Sequence, residues 1–415
     1  MGILYTSKST LTMRNSAVMI RTIPFPYFVV VFPKAEYVSK FLKKALFSMK
    51  MKAAVLNSTP NALSVEEVEI GDPKPGEVRI KIAASGLCHT DWETMRGFQP
   101  IHLPAIIGHE GAGVVDAIGA GVRRVKPGDH VVCSWSPNCG HCFYCDQGQP
   151  ILCEEARQAN VDGVLFDGTS RMSRNGSPIY YYSLVSSHAE YNIVPEQAAV
   201  PVRKDFPLDR AALLGCAVMT GYGGAVHAAR IKPGSSVVVI GCGAVGISAI
   251  QGARLCGASL IVGVDINPLK LQWAKQFGAT HIVNSAQDDP VAIVRKLTAG
   301  RGAETAIEAA GHNLTLRQTL EASRPGARVV ILGKTPFGQD ITLPFHLLMG
   351  EREIVRTSYG MSRPRIDFPR LADLYMEGKL LLDEMMTMRL PLERINEGFA
   401  ALEQGNVARA LVVFE

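Results

Sequence analysis

Nine cysteines, with a few histidines and carboxylates near them, carry most of the chemistry this chain can offer. Cys139, Cys142, Cys145 and Cys153 fall within "CGHCFYCDQGQPILC", spaced C-x2-C-x2-C-x7-C. Four thiolates fill a tetrahedron around zinc and leave no position for water or substrate. The cluster therefore reads as a structural zinc clip, with metal binding coupled to folding of its loop. A disulfide framework fits worse, because nine is an odd count and the spacing is that of metal ligands. A zinc that does chemistry needs fewer protein ligands and one exchangeable position. Cys88 in "GLCHTD", His109 in "IIGHEG" and Cys216 in "LLGCAVMTGYG" could form such a Cys2His site. Residue types alone leave that triplet open. An isolated cysteine usually just packs, and a lone histidine is more often structural than a ligand.

A second site is written in "VVVIGCGAVG", where Gly241, Gly243 and Gly246 make the G-x-G-x-x-G pattern at the end of an apolar run. The first glycine permits the turn, the second lets backbone approach a pyrophosphate, and the third allows close helix–strand packing. The helix that follows offers unpaired N–H groups and a partial positive charge to phosphates. Asp265 ends the next apolar run, "LIVGVD", about twenty residues later, where a carboxylate accepts from a ribose and repels a 2′-phosphate. NAD is expected over NADP.

These residues need elements to position them. From Met51 the chain reads as short strands, "KAAVLN", "EVRIKIAASG" and "EGAGVVDAIG", broken by Gly, Pro and Asp. Residues near 154–183 are polar and Gly-containing and read as a long surface excursion. Beyond residue 218, strands such as "SSVVVIGCGAVG", "TAIEAAG" and "ARVVILG" alternate with helix-like stretches, the mark of a parallel sheet. "RLPLERINEGFAALEQGNVARALVVF" closes the chain with a helix and a strand. At 415 residues, 47% hydrophobic and 20% charged, the composition suits two globular domains. The net charge of +5 is uneven, since residues 1–50 hold eight Lys or Arg against the single Glu36 and the remainder is slightly acidic. No nucleic-acid surface follows from that. The segment "IPFPYFVVVF" is too short to span a bilayer and no membrane partner is expected; residues 1–50 read as an unstructured or artefactual extension, with targeting or a membrane contact as the alternative.

The motifs "GLCHTD", "GHEGAG", "CGHCFYC…C", "GCAVMTGYG" and "GCGAVG", taken in that order, resemble the zinc-dependent medium-chain alcohol dehydrogenases from Met51 to Glu415. The resemblance implies an α/β fold: a GroES-like β-rich catalytic domain and a Rossmann coenzyme domain with a doubly wound parallel sheet. The expected organisation is an extension over 1–50, the catalytic domain over 51–217, the NAD domain over 218–359 and a return to the catalytic domain over 360–415. It also implies two zinc ions per chain and NAD. Cys88, His109 and Cys216 match the open-site ligands, Asp91 the carboxylate behind the histidine ligand, and Glu110 the acid behind the metal. Thr90 matches the hydroxyl that takes the alcohol's proton. His89, Thr220, Ala244, Val245, Lys270 and Arg409 join the three glycines and Asp265 as coenzyme positions, His89 and Arg409 near the pyrophosphate. Trp135 and His188 match pocket-lining positions, and Cys133, Cys242 and Cys256 match no ligand.

The reaction so implied is reversible hydride transfer between a primary alcohol, aliphatic or aromatic, and NAD. In many relatives a histidine five residues after the first ligand ends the proton relay; here that position is Glu93, a candidate terminal base. "DGTSRMSRNGSPIYYY" resembles the glutathione-dependent formaldehyde dehydrogenases, and Arg157 resembles a glutathione-binding arginine, but that subgroup's acidic pair falls on Gln99 and Ile101. Glutathione-dependent oxidation is thus the alternative, beside a form that holds NAD permanently and a fold recruited without catalysis. A small-molecule alcohol or aldehyde is the expected partner. A homodimer is expected from resemblance and loop length, and the cytoplasm from the free thiols.

Overall fold

A computed structural model describes residues 49–336 and 338–415, and before them the strands Thr10–Arg14, Ala17–Arg21 and Val29–Val30. Those three strands form an antiparallel sheet of their own, so the extension contains regular structure; the rest of 1–48 lies outside the described residues. Met1–Met49 is one compact unit and Lys50–Glu415 another.

Within Lys50–Glu415 a six-stranded sheet runs entirely parallel, in the order His281–Asn284, Leu260–Asp265, Ser236–Ile240, Ala303–Glu308, Ser323–Ile331, Glu353–Arg356. Chain order runs outward both ways from Ser236–Ile240. That is the doubly wound arrangement, whose switch point opens a crevice at the carboxyl ends of the central strands. The strands are Val/Ile-rich because helices cover both faces. One of these helices, Ala244–Leu255, packs so closely on the helix Leu208–Ala228 that a methyl on Gly221 would strike the Val245 carbonyl and Ser248.

The β-rich part holds a five-stranded and a seven-stranded sheet. Its long strand Glu77–Gly86 pairs antiparallel with Glu110–Ile118 on one side and with the terminal strand Arg409–Val413 on the other. The end of the chain is therefore built into the sheet that carries the first motifs. Leu208–Ala228 is apolar and long enough to cross a membrane, but 83% of its apolar window is buried inside the protein, which makes it a core helix. The expected boundary at 217/218 falls inside this helix.

Residues 154–183 are more ordered than a surface excursion. Glu154–Asp162 is a helix with Ala156 and Ala159 buried, and Met172–Arg174 and Ser177–Ile179 form a hairpin that extends the five-stranded sheet. The turn is Asn175-Gly176, both with positive φ (53° and 79°), the pairing a two-residue hairpin turn favours. Buried Arg171 anchors this segment by pairing with Glu77 and Asp167.

Candidate active site and metal centres

Helix His89–Met95 starts at Cys88, its N-cap, and Asp91 in its first turn reaches back so that one carboxylate oxygen accepts the Cys88 N–H at 3.2 Å. The other oxygen accepts from His109 Nδ1 at 2.8 Å, leaving Nε2 as the free ring nitrogen. Asp91 is fully buried, so one side chain caps the helix and orients the imidazole. Glu110 opens the strand after His109, opposite Gly86. A side chain at Gly86 would collide with the Glu110 carboxylate and crowd Arg409, so the glycine makes room for that ion pair.

Cys216 lies in Leu208–Ala228 where the turn Leu214–Val218 is wound as a π-helix. Such a turn inserts a residue and re-aims the side chains around it, and it recurs at functional sites. The Tyr359 hydroxyl donates to the Gly215 carbonyl beside it.

The ligand atoms of Cys88, His109, Glu110 and Cys216 all lie within 4.8 Å of one another. A hydrogen bond from the Cys216 thiol, then the charges of His109 and Arg409, pull the Cys88 thiol well below its usual value against the effect of burial. Burial pushes the Glu110 carboxyl up to about 7, opposed by Arg409. One buried Glu110 oxygen has no partner. Two thiols and an imidazole with a carboxylate at their back are a donor set that fits zinc and leaves a position open. Cys139, Cys142, Cys145 and Cys153 form a second group within the same limit, with Cys139 N–H donating to Cys153 Sγ at 3.2 Å. All nine cysteines are free, and this four-thiol group fits a closed zinc site. Cys133 and Cys242 are buried in the core, and burial raises the Cys133 thiol to about 12.

On the coenzyme side, Gly241 turns at φ 95° at the end of Ser236–Ile240, and Gly243 caps helix Ala244–Leu255. A methyl on Gly243 would meet nothing within 4 Å, so open space lies over that helix N-terminus, while one on Gly246 would strike the Gly241 carbonyl. Asp265 accepts from Cys242 N–H at 2.8 Å and from Asn267 N–H at 2.9 Å, which fixes it beside the loop. Ala244 and Val245 begin the helix, and Lys270 lies on Pro268–Gln276 just after Asp265. Thr220 is buried four residues after Cys216, its hydroxyl without a partner. His89 is exposed on the first turn of its helix, within electrostatic reach of Lys270 and Arg409. Open backbone N–H groups, a fixed carboxylate and a spare hydroxyl at a switch point fit a dinucleotide.

Three expected residues stand elsewhere or are otherwise engaged. His188 is not a pocket wall: it is fully buried, hydrogen-bonded to Ser85 at 2.9 Å and packed against Gly108 behind His109. Its site signal came from a motif match, and the strand pairing that buries it is non-local. Arg409, expected near the pyrophosphate, is 2% exposed and paired with Glu110, because its strand lies beside Gly86. Glu93 accepts from Lys334 at 2.9 Å. Trp135 is half-buried against Tyr359, ring centroids 4.3 Å apart. Tyr182, with its hydroxyl 3.1 Å from Thr94 Oγ1 and its ring edge-on to His109, was not anticipated. No local spacing connects it to Cys88. Lys334 was missed for the same reason.

Two family profiles match the chain, "Alcohol dehydrogenase GroES-like domain" over residues 74–204 and "Zinc-binding dehydrogenase" over residues 244–377. The chain is 40% identical to an alcohol dehydrogenase class-3 of Cereibacter sphaeroides, over 88% of this chain and all of that protein. It belongs to the zinc-dependent medium-chain dehydrogenase family. Zinc and NAD(H) are the cofactors of that membership. An S-(hydroxymethyl)glutathione dehydrogenase of Paracoccus denitrificans is 39% identical over 88% of this chain and its own full length. Among solved structures, the benzyl alcohol dehydrogenase of Acinetobacter calcoaceticus superposes with a TM-score of 0.84 at 33% identity, covering 88% of this chain and all of that one. The doubly wound sheet beside a β-rich domain is the family's fold.

Proposed function

We propose that this member of the family oxidises a hydroxymethyl group with NAD, reversibly, and that a glutathione-bound hydroxymethyl group is its first substrate to test. The observation that carries the chemistry is the convergence of Cys88, His109 and Cys216 with Glu110 behind them. The order of substrates reverses the expectation from sequence, which put free primary alcohols first. It rests on relatives at 39–40% identity named class-3 alcohol dehydrogenase and S-(hydroxymethyl)glutathione dehydrogenase. Free aromatic alcohols are the second reading, favoured by Gln99 and Ile101 in place of acids and by the likeness to a benzyl alcohol dehydrogenase.

When bound, zinc supplies a Lewis acid at the alcohol oxygen and NAD supplies the hydride acceptor. Cys88, His109 and Cys216 would hold the metal, while Asp91 keeps the His109 ring turned to it. Thr90, on the first turn after Cys88, would take the hydroxyl proton, and Glu93 one helical turn further is within its face for passing the proton on. Gly241, Gly243, Gly246 and the N-terminus of Ala244–Leu255 would seat the pyrophosphate, with Asp265 on the adenosine ribose. The four-thiol clip would take the second zinc.

The deciding experiment is NAD reduction with formaldehyde, with and without glutathione, beside a panel of free alcohols. Turnover of formaldehyde that requires glutathione is the expected result. Oxidation of benzyl alcohol with no response to glutathione would move the second reading to first place.

A further inference from the structure

Lys334 follows the carboxyl end of strand Ser323–Ile331, one strand out from the switch point between Ser236–Ile240 and Ala303–Glu308, and reaches over to the β-rich part. Its ammonium donates to Glu93 Oε2 at 2.9 Å and to Gln99 Oε1 at 3.2 Å. Glu93 stands three residues after Thr90 on His89–Met95, so the two are neighbours on the helix surface, and Glu93 is partly exposed where Asp91, Thr94 and Met95 are buried. Through Glu93 the cation is tied to the helix that begins after Cys88 with Thr90 in its first turn, about one turn, roughly 5 Å along the axis, past Thr90. Two of its three N–H donors are occupied and its side chain is 42% exposed. The third donor is available to a ligand.

Resting on the proposed alcohol oxidation, the geometry points to Lys334 as a specificity-determining residue that selects substrates bearing a carboxylate a short distance from the carbinol carbon. Glu93 and Gln99 hold the ammonium in place. Because the Lys334–Glu93 pair is partly exposed, it is weak enough for a substrate carboxylate to share the cation. The same contact serves a peptide-like thiol adduct, which carries carboxylates, and a small hydroxymethyl benzoate.

The test uses the zinc- and NADH-loaded protein and two uncharged or charged aldehyde analogues, benzamide and 4-carbamoylbenzoate, measured by titration calorimetry. A companion measurement compares kcat/KM for benzyl alcohol and 4-(hydroxymethyl)benzoate. Wild-type protein is expected to favour the carboxylate member of each pair about fivefold, the effect of one partly screened charge contact. Lys334→Gln should bring both ratios to about one, and Lys334→Arg should keep them, since it restores the charge. Zinc content and melting temperature of each variant check that the fold is intact. A wild-type ratio of one or less, or a ratio unchanged in Lys334→Gln, overturns the assignment. So does a variant that loses NADH affinity while keeping the ligand ratio, because Lys334 would then serve the coenzyme. If calorimetry shows the selectivity but no alcohol is turned over, the proposed reaction fails and the binding assignment stands.

Discussion

Asp91 ties the start of a helix to the orientation of His109 with its two oxygens, and both interactions are buried. At this scale the two candidate zinc sites should separate under mutation. Cys216→Ala is expected to leave a folded protein with roughly one zinc fewer and almost no activity, because an open site is not a folding clip. Cys142→Ala should instead lower the melting temperature, since it breaks a closed site coupled to folding. Metal analysis and thermal melting on both variants decide this; a Cys142 variant with full zinc and normal melting would remove the clip. Asp265→Ser should raise the NADP-to-NAD ratio of kcat/KM by about tenfold, as the carboxylate that repels a 2′-phosphate is gone. A wild-type protein that already prefers NADP would contradict this role. Glu93→Gln should slow alcohol oxidation about tenfold near pH 7 and less at high pH, where hydroxide can accept the proton. An unaltered pH–rate profile would leave Thr90 with solvent as the proton path.

Elements carry these residues, and the tightest constraint on them is at Gly246. A methyl there would run into the Gly241 carbonyl, at the join of Ser236–Ile240 and Ala244–Leu255. Gly246→Ala is therefore expected to cost about 1–3 kcal/mol in unfolding free energy and to weaken coenzyme binding with it. Unchanged stability and NAD affinity would show that the strand–helix turn has room to yield. The glycine pattern and the apolar strands were legible in sequence because their physics is local: a turn, a period, a capped helix. The π turn that aims Cys216 was not, because a mid-helix change of winding leaves no periodic signature in "LLGCAVMTGYG". The hairpin at Asn175-Gly176 carried its turn signal openly, but its strands are only three residues each and read as polar loop. Lys334 and Tyr182 meet the helix of Cys88 only through tertiary folding, 241 and 88 residues from their partners, so no window of sequence could bring them together.

At the scale of the whole molecule, the parallel sheet is open at both edges among the described residues, His281–Asn284 and Glu353–Arg356, and only the second lies beside further exposed apolar side chains close in sequence. Among the described residues Glu353–Arg356 pairs only with Ser323–Ile331, and it exposes Ile354. Just before it Phe345 is 75% exposed, with Leu348 and Met349 also at the surface. A bare strand edge beside apolar side chains invites pairing, and monomeric proteins usually blunt such an edge. The sequence "EIVR" is self-complementary about its centre. Run antiparallel against a second copy, Glu353 would face Arg356 and Ile354 would face Val355, which is what a two-fold, isologous contact requires. The homodimer expected from the resemblance would use this edge, a second copy joining the two sheets into one. Light scattering should give twice the chain mass of 44.8 kDa. Ile354→Lys combined with Phe345→Asp should shift that mass to the monomer while both zinc ions are kept, because the substitutions lie on the surface and not at either metal site. A wild-type tetramer, or a double variant that stays dimeric, would place the contact on another face.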